Sequence, residues 1–212
     1  MHKKDMVVEL RQYAANKRIK NLLQKINPML TKKDENIRIH LEALANDVIT
    51  KKEYQVIRTK MELGKFCLDL EHAIPDSHVT MLFYCKNQNK IYHGAAPNFP
   101  VEFFDFFYEI NDTGAFGENC GSCGAAVHNR KVVVTDIQTS PLWEPFREHF
   151  TQYGLYTGWS IPFFKENDVM GTFAIYHSYP KEVTKEEILL GQQKVKEYQN
   201  SINQMVNRLI AN

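Results

Sequence analysis

The sequence predicts an α+β fold: an antiparallel sheet with long helices on one face, a cover of loops and short helices on the other, and further helices ahead of it. Three observations predict it. Apolar residues recur at spacings of three and four between Val56 and Ile74 and again after Thr184, which is the helical period. Between those segments the period falls to two, in paired runs joined by short polar turns. The stretch separating the pairs is irregular and punctuated by glycine, which suits a cover rather than a further sheet. Helices, strand pairs and an insert in this order form two layers around a sheet.

Each element follows from local signals. Ala15, Ile19, Leu22 and Ile26 mark one helix that Pro28 stops, and Thr31 with Asp34 opens a second carrying Ile37, Leu41, Leu44 and Val48. Residues 1–50 are therefore expected to be a helical extension, and residues 51–212 the main domain with its first and last long helices. Thr50 and Glu53 form a capping-box pattern ahead of a helix whose face is Val56, Leu63, Cys67, Leu70 and Ile74, ended by Pro75. Val79, Met81, Phe83 and Cys85 alternate with Thr80, Leu82 and Tyr84 in a first strand. Lys86 to Asn89 turns it into a second, from Lys90 to about Gly94. A short helix is expected over Phe99 to Tyr108, a loop from Gly114 to Gly124, and a short helix near Ala125 to Asn129. Lys131 to Asp136 reads as a third strand and Pro141 to Phe150 as another short helix. Leu155 to Phe164 and Val169 to Tyr176 pair around Lys165 to Asp168, and Thr184 with Glu187 caps a last helix running nearly to Asn212.

Composition narrows the function classes. A chain of 212 residues with 43% hydrophobic and 24% charged residues has an ordinary globular make-up. Its longest apolar runs, such as Val132 to Val134, fall far below the ~20 residues that cross a bilayer, so no membrane role is expected. No secretory signal is readable, and the four cysteines at 67, 85, 120 and 123 are too sparse for a disulfide scaffold. A cytoplasmic protein with free thiols is expected. Residues 1–53 carry 12 Lys/Arg against 7 Asp/Glu, a net +5, whereas residues 54–212 carry 14 against 18, a net −4. Without an aromatic stripe or a recognition helix this basic arm reads as a solvated helical face, and nucleic acid is not an expected partner.

The run from Cys120 to Glu187 resembles the C-terminal half of a GAF domain of the bacterial sensor type. Its motifs are Gly121-Ser122-Cys123-Gly124, Val132 to Ile137, Pro141-Leu142-Trp143, Trp159-Ser160-Ile161-Pro162 and Gly171-Thr172-Phe173-Ala174. The first hairpin and Gly94-Ala95-Ala96-Pro97 fit the N-terminal half, so the resemblance covers about residues 56–210. It implies a sensor module in which a small molecule or small anion settles between sheet and cover. The terminal helices would then act on a partner copy or on a separate signalling protein. Phe83, Trp143, Trp159, Phe173 and Tyr176 are the aromatic residues expected around such a pocket, with Ser122, Cys123, Ser160 and Arg147 as its polar groups.

The resemblance extends to an enzyme with this fold, free methionine-(R)-sulfoxide reductase, whose loop cysteine resembles Cys123. Sulfenic acid chemistry could start there and resolve on Cys120. That family carries a further cysteine and acidic residues after the third strand, where this chain has Gln138-Thr139-Ser140-Pro141-Leu142-Trp143. The sensor reading is therefore preferred to the enzyme reading, with a non-binding dimerisation scaffold as a third alternative. Cys120-x-x-Cys123 lacks the second ligand pair of a zinc site, so no metal is expected. The glycines at 114, 117, 121 and 124 lack the Lys-Ser/Thr of a phosphate-binding loop. The cyclic-nucleotide signature of GAF domains is missing, and Asp136-Ile137 is followed by Gln138 rather than by the proline of tetrapyrrole-binding relatives. No cofactor is required. Ile188, Val195, Ile202 and Leu209 recur at intervals of seven, which predicts a homodimer seam along the last helix.

Overall fold

The computed structural model describes residues 51–211, so the helices expected within 1–50 and the cap at Thr50 lie outside the described residues. The chain runs α1 (Lys51–Ala73), β1 (Ser77–Cys85), β2 (Lys90–Ala95), a 3-10 turn (Val101–Phe104), α2 (Asp105–Thr113), α3 (Gly121–Asn129) and β3 (Val133–Asp136). It continues through a second 3-10 turn (Pro141–Trp143), α4 (Arg147–Gln152), β4 (Thr157–Lys165), β5 (Asp168–His177) and α5 (Lys185–Ala211). The five strands form one antiparallel sheet in the order β2-β1-β5-β4-β3.

Both faces of this sheet are buried. On one face Leu63, Cys67 and Leu70 of α1 and Val195 and Ile202 of α5 pack with Val79, Met81, Phe83, Trp159, Ile161 and Phe173 of the strands. Val195 and Ile202 of the heptad stripe thus lie against the protein's own sheet rather than against a second copy. An amphipathic stripe is buried by the nearest apolar surface, and the sheet supplies one here, so Val195 and Ile202 form no dimer seam. The two terminal helices are joined directly: Phe66 stacks on Tyr198 with ring centres 4.6 Å apart, and Asp69 accepts from both the Tyr198 hydroxyl and Lys194 Nζ. The capping box at the start of α5 forms as its sequence predicts, Thr184 N donating to Glu187 Oε2 at 2.9 Å and Glu187 N to Thr184 Oγ1 at 3.2 Å.

The other face carries the cover, from Ala96 to Leu155, built largely of aromatic rings. Phe103 is its hub, stacked on Phe99 at 4.3 Å and meeting Phe107, Phe150 and Tyr153 edge-on, which are the offsets that aromatic quadrupoles favour. Element boundaries in the cover depart from expectation. The helix expected over Phe99 to Tyr108 is a 3-10 turn followed by α2, and that over Pro141 to Phe150 is a 3-10 turn followed by α4. Prolines at 100 and 141 set φ for a tight first turn, and the chain bends before it settles into α geometry. The third strand is shorter than expected, starting at Val133.

The largest correction concerns Gly121 to Gly124, expected at the end of a loop. These residues are the first turn of α3, with Cys120 as N-cap and Gly124 N donating to Cys120 O at 2.9 Å. Glycine is required at both ends of this turn. Gly121 has φ +58°, and a Cβ there would sit 2.9 Å from the Trp143 ring; a Cβ on Gly124 would lie 2.0 Å from Gly117 O. Glycine in the sequence signals a loop by default, whereas here it permits close approach of a helix to its neighbours.

Candidate functional site

Alternation along β4 and β5 decides which expected residues share a site. Ser160 pairs with Ala174, and Gly158 with Tyr176, so these positions point to the cover. Trp159 pairs with Ile175 and Ile161 with Phe173, and these point to the long helices. The structure brings Ser122, Cys123, Ser160 and Tyr176 together and places Phe83, Trp159 and Phe173 in the opposite layer. A sheet buried on both faces has apolar residues of both parities, so hydrophobicity alone does not tell which parity faces the cover. Trp159 has its own structural bond there: its Nε1–H donates to His177 Nε2 at 3.3 Å, while His177 Nδ1–H donates to Asp76 O at 2.9 Å. Those two bonds define one neutral tautomer, and burial lowers the pKa of that imidazole in agreement.

The grouped residues form a chain of hydrogen bonds under α3. Ser122 Oγ lies 2.9 Å from Ser160 Oγ, the Ser160 hydroxyl donates to Cys123 Sγ at 3.4 Å, and Cys123 Sγ is 3.8 Å from the Tyr176 hydroxyl. All four are buried, so satisfying these groups together removes the desolvation penalty each would carry alone. Burial pushes the Cys123 thiol up, partly offset by the hydroxyl groups around it, and pushes Cys120 up to about 12 with a further contribution from Cys123. Both sulfurs are therefore protonated thiols near neutral pH, the less nucleophilic form.

Cys120, Gly121 and Cys123 also border an apolar cleft of about 270 Å³ counted out to its mouth. Phe107, Phe116, Trp143, Phe150 and Ile91 line it as buried side chains, and the half-buried Phe106 and Phe146 complete the lining. None of these residues is charged. Most of that volume is open to solvent, and the space enclosed within it is about 10 Å³, room for roughly one water. Trp143 is fixed in the wall by its Nε1–H, which donates to Thr135 Oγ1 at 2.8 Å.

Arg147, expected to orient an anion, is committed elsewhere. Its Nε donates to Ile137 O and its Nη2 to Ser140 O, each at 3.0 Å, so the guanidinium ties the segment between β3 and α4 to the start of α4. Carbonyls at the end of a short strand need donors, and the nearest long cationic side chain supplies them. Asn111 is the polar residue that sequence reasoning missed. Its side-chain amide accepts from Ile91 N and donates to Ile91 O, pairing the outer edge of β2 beside the cleft. The signal available was an asparagine on the apolar side of a helix, between Ile110 and the Gly114 cap.

Among the described residues no group of three or more His, Cys, Asp and Glu could hold a metal ion, and no helix is long and apolar enough to cross a membrane. No curated protein matches the sequence. Solved structures with a similar fold include a GAF domain/HD domain protein from Geobacter sulfurreducens, 12% identical over 71% of this chain and 95% of that one, with TM-score 0.54. Another is the free methionine-R-sulfoxide reductase of Neisseria meningitidis in complex with its substrate, 12% identical over 79% of this chain and 86% of that one, with TM-score 0.51. At these identities the likeness is one of fold. The family model for the GAF domain matches residues 70–193, from the last turn of α1 to the middle of α5, and so takes in the whole sheet and its cover. With more than half of its 212 residues matched in this way, the chain belongs to the GAF domain family.

Proposed function

We propose that the protein is a small-molecule-sensing regulatory domain of the cytoplasm. Ligand occupies the cleft between sheet and cover, and α1 and α5 on the opposite face carry the response to a separate partner. The observation that supports this reading best is the position of Cys123. Its sulfur borders the cleft and contacts Ser160 on β4 and Tyr176 on β5. The reverse face of those two strands carries Trp159 and Phe173, against which Gly191 and Tyr198 of α5 pack. A displacement of α3 by ligand therefore reaches α5 through one layer of strands. A ligand shifts such an equilibrium only by its differential affinity for the two arrangements, and an ordered cover supplies that difference. The protonated state of both thiols favours a binding role over a nucleophilic one.

Native mass spectrometry tests the reading. The protein is incubated with the low-molecular-mass fraction of a cell extract, desalted and ionised gently. One retained small-molecule mass is expected, and it should be lost in Cys120→Leu, which fills the cleft. No retained mass, or one retained equally by that variant, would count against a ligand site here.

A further inference from the structure

We propose that the outer edge of β3 is an interface with a second copy of this chain, the two β3 strands pairing antiparallel across a two-fold axis at Val134. Elsewhere side chains of the domain meet the sheet's open edges. On β2 the Asn111 amide pairs Ile91, and Lys60 Nζ donates to His93 O at 3.0 Å. On β4, beyond the stretch that β3 covers, Phe164 N donates to Gln199 Oε1 at 2.9 Å and Phe164 O accepts from Asn203 Nδ2 at 3.3 Å. Groups satisfied in this way no longer template another chain.

Along β3 the described residues supply no such closure. Ile137 N donates to Tyr156 O at 2.8 Å and Thr135 Oγ1 to Gly158 O at 2.8 Å, which sets the odd-numbered positions of this strand toward β4. Alternation turns the N–H and C=O of Val132, Val134 and Asp136 outward. Asp136 O is met by Ser140 N at 3.1 Å, whereas no described residue reaches Val134 N or O from that side. Apolar surface is concentrated at the same corner. Five large apolar side chains are exposed among the described residues: Val134, Tyr156, Tyr179, Leu189 and Leu190. Tyr156 O is bonded by Ile137 N just past β3, and Tyr179 O accepts from Thr157, the strand partner of Asp136. Leu189 and Leu190 flank Gly191, which packs on Trp159, the strand partner of Val134. Exposed apolar residues gathered in one place, rather than scattered, mark an interaction surface.

A second copy fits this edge because the edge is complementary to itself. Across a two-fold axis at Val134, the Val134 N–H of each copy donates to Val134 O of the other, and Asp136 N–H donates to Val132 O. Antiparallel pairing also sets the exposed Lys131 at the start of one strand beside the exposed Asp136 at the end of the other, whereas parallel pairing would align like charges. The two Val134 side chains meet on the face that carries Trp159 and α5, and the neighbouring tyrosines and leucines extend the contact beyond the strands.

Val134→Lys and Val134→Pro test this in the full chain, with sedimentation velocity reporting the oligomeric state. Lysine at an exposed position leaves the monomer intact and places two like charges on the axis. Proline removes only an N–H that the monomer's own ladder does not use. The wild-type protein should be dimeric at tens of micromolar, and each variant should raise the dimer dissociation constant at least ~10-fold. Should proline disturb the strand, the wild-type protein alone gives a second reading. Hydrogen exchange of its Val134 amide should slow at least ~10-fold from dilute to concentrated protein, while that of Thr135, which faces β4, stays unchanged. A wild-type monomer at tens of micromolar would overturn the interface: if its Val134 amide is already protected, residues 1–50 lie along the edge, and if it is unprotected, the edge is left to a different protein. A dimer that both variants leave unchanged would overturn it as well, placing the contact on another surface.

Discussion

The side chain of Asn111 does for Ile91 what a neighbouring strand would do, accepting from its N–H at 2.9 Å and donating to its C=O at 2.5 Å. Strand β2 is at the edge of the sheet, and an unpaired edge beneath an apolar cover would bury two orphaned backbone groups. One amide on α2 satisfies both, which fixes α2, and with it Phe107 of the cleft, to the sheet.

Replacement of Asn111 by Leu should therefore destabilise the domain by about 2–5 kcal/mol, because each buried backbone group left unpaired costs ~1–3 kcal/mol. Urea unfolding followed by circular dichroism measures this. Asn111→Asp should give no rescue, since a carboxylate has no donor for the Ile91 carbonyl. A loss under about 1 kcal/mol in the Leu variant would mean that water replaces the amide.

At Gly121 an alanine would have to hold φ +58° and place its Cβ 2.9 Å from Trp143, a ring held by its bond to Thr135. The backbone cost of ~1–2 kcal/mol and the overpacking cost of ~1–3 kcal/mol act together. A loss of about 2–5 kcal/mol is expected from their sum, seen as a lower Tm and a changed Trp143 emission. An alanine tolerated without change in either would contradict the close approach of α3 to Trp143.

Much of this arrangement is legible in the sequence. The two long helices, the two hairpins and the Thr184–Glu187 cap follow from period and turn chemistry, because each rests on contacts within a few residues. The cover is legible only in outline. Its short helices depend on what they pack against, and the glycines at 121 and 124 serve contacts with Trp143 and Gly117, which no local pattern reveals. That Ser122, Cys123, Ser160 and Tyr176 lie together under the cover while Phe83, Trp159 and Phe173 lie on the other face could not be read from hydrophobicity, since the sheet is apolar on both faces. Arg147 illustrates the same limit: its chemistry suits an anion, and its geometry assigns it to backbone carbonyls.

Lys60 gives the domain a specific pH dependence. Its Nζ is buried and donates to His93 O and Gly94 O, each at 3.0 Å, and burial lowers its pKa from 10.5 to about 8. The folded state thus loses this proton before the unfolded state does, and stability rises with pH across the window from about 8 to 10.5. Relative to Lys60→Met, the wild-type protein should gain on the order of 3 kcal/mol over that window, at ~1.4 kcal/mol per pH unit. Comparison with the variant removes the opposing contributions of the buried thiols and tyrosines. A stability difference independent of pH would show that Lys60 keeps its usual pKa.

Cys120 and Cys123 should react slowly in the native protein, since both are buried and protonated at neutral pH. Alkylation by iodoacetamide at about pH 7.5 is expected to be at least ~100-fold slower than in urea-unfolded protein, by the fall in exposure and thiolate fraction together. Incubation with free methionine sulfoxide and a thiol reductant should give no turnover. Turnover that disappears in Cys123→Ser would replace the sensing role with a reductase one.

Hydrogen exchange across the cover tests the sensing account most directly. In protein without ligand, amides from Phe116 to Ala126 should exchange at least ~100-fold faster than those of Trp159 to Phe163 in β4, because a segment that responds to ligand belongs to the less stable part of a domain. Saturation with the small molecule retained in the native mass spectrum should slow the Phe116–Ala126 amides and alter exchange in α5 beyond Gly191. Protection of that segment equal to the strands without ligand, unchanged when that molecule is added, would contradict a ligand-ordered cover and leave a rigid scaffold in its place.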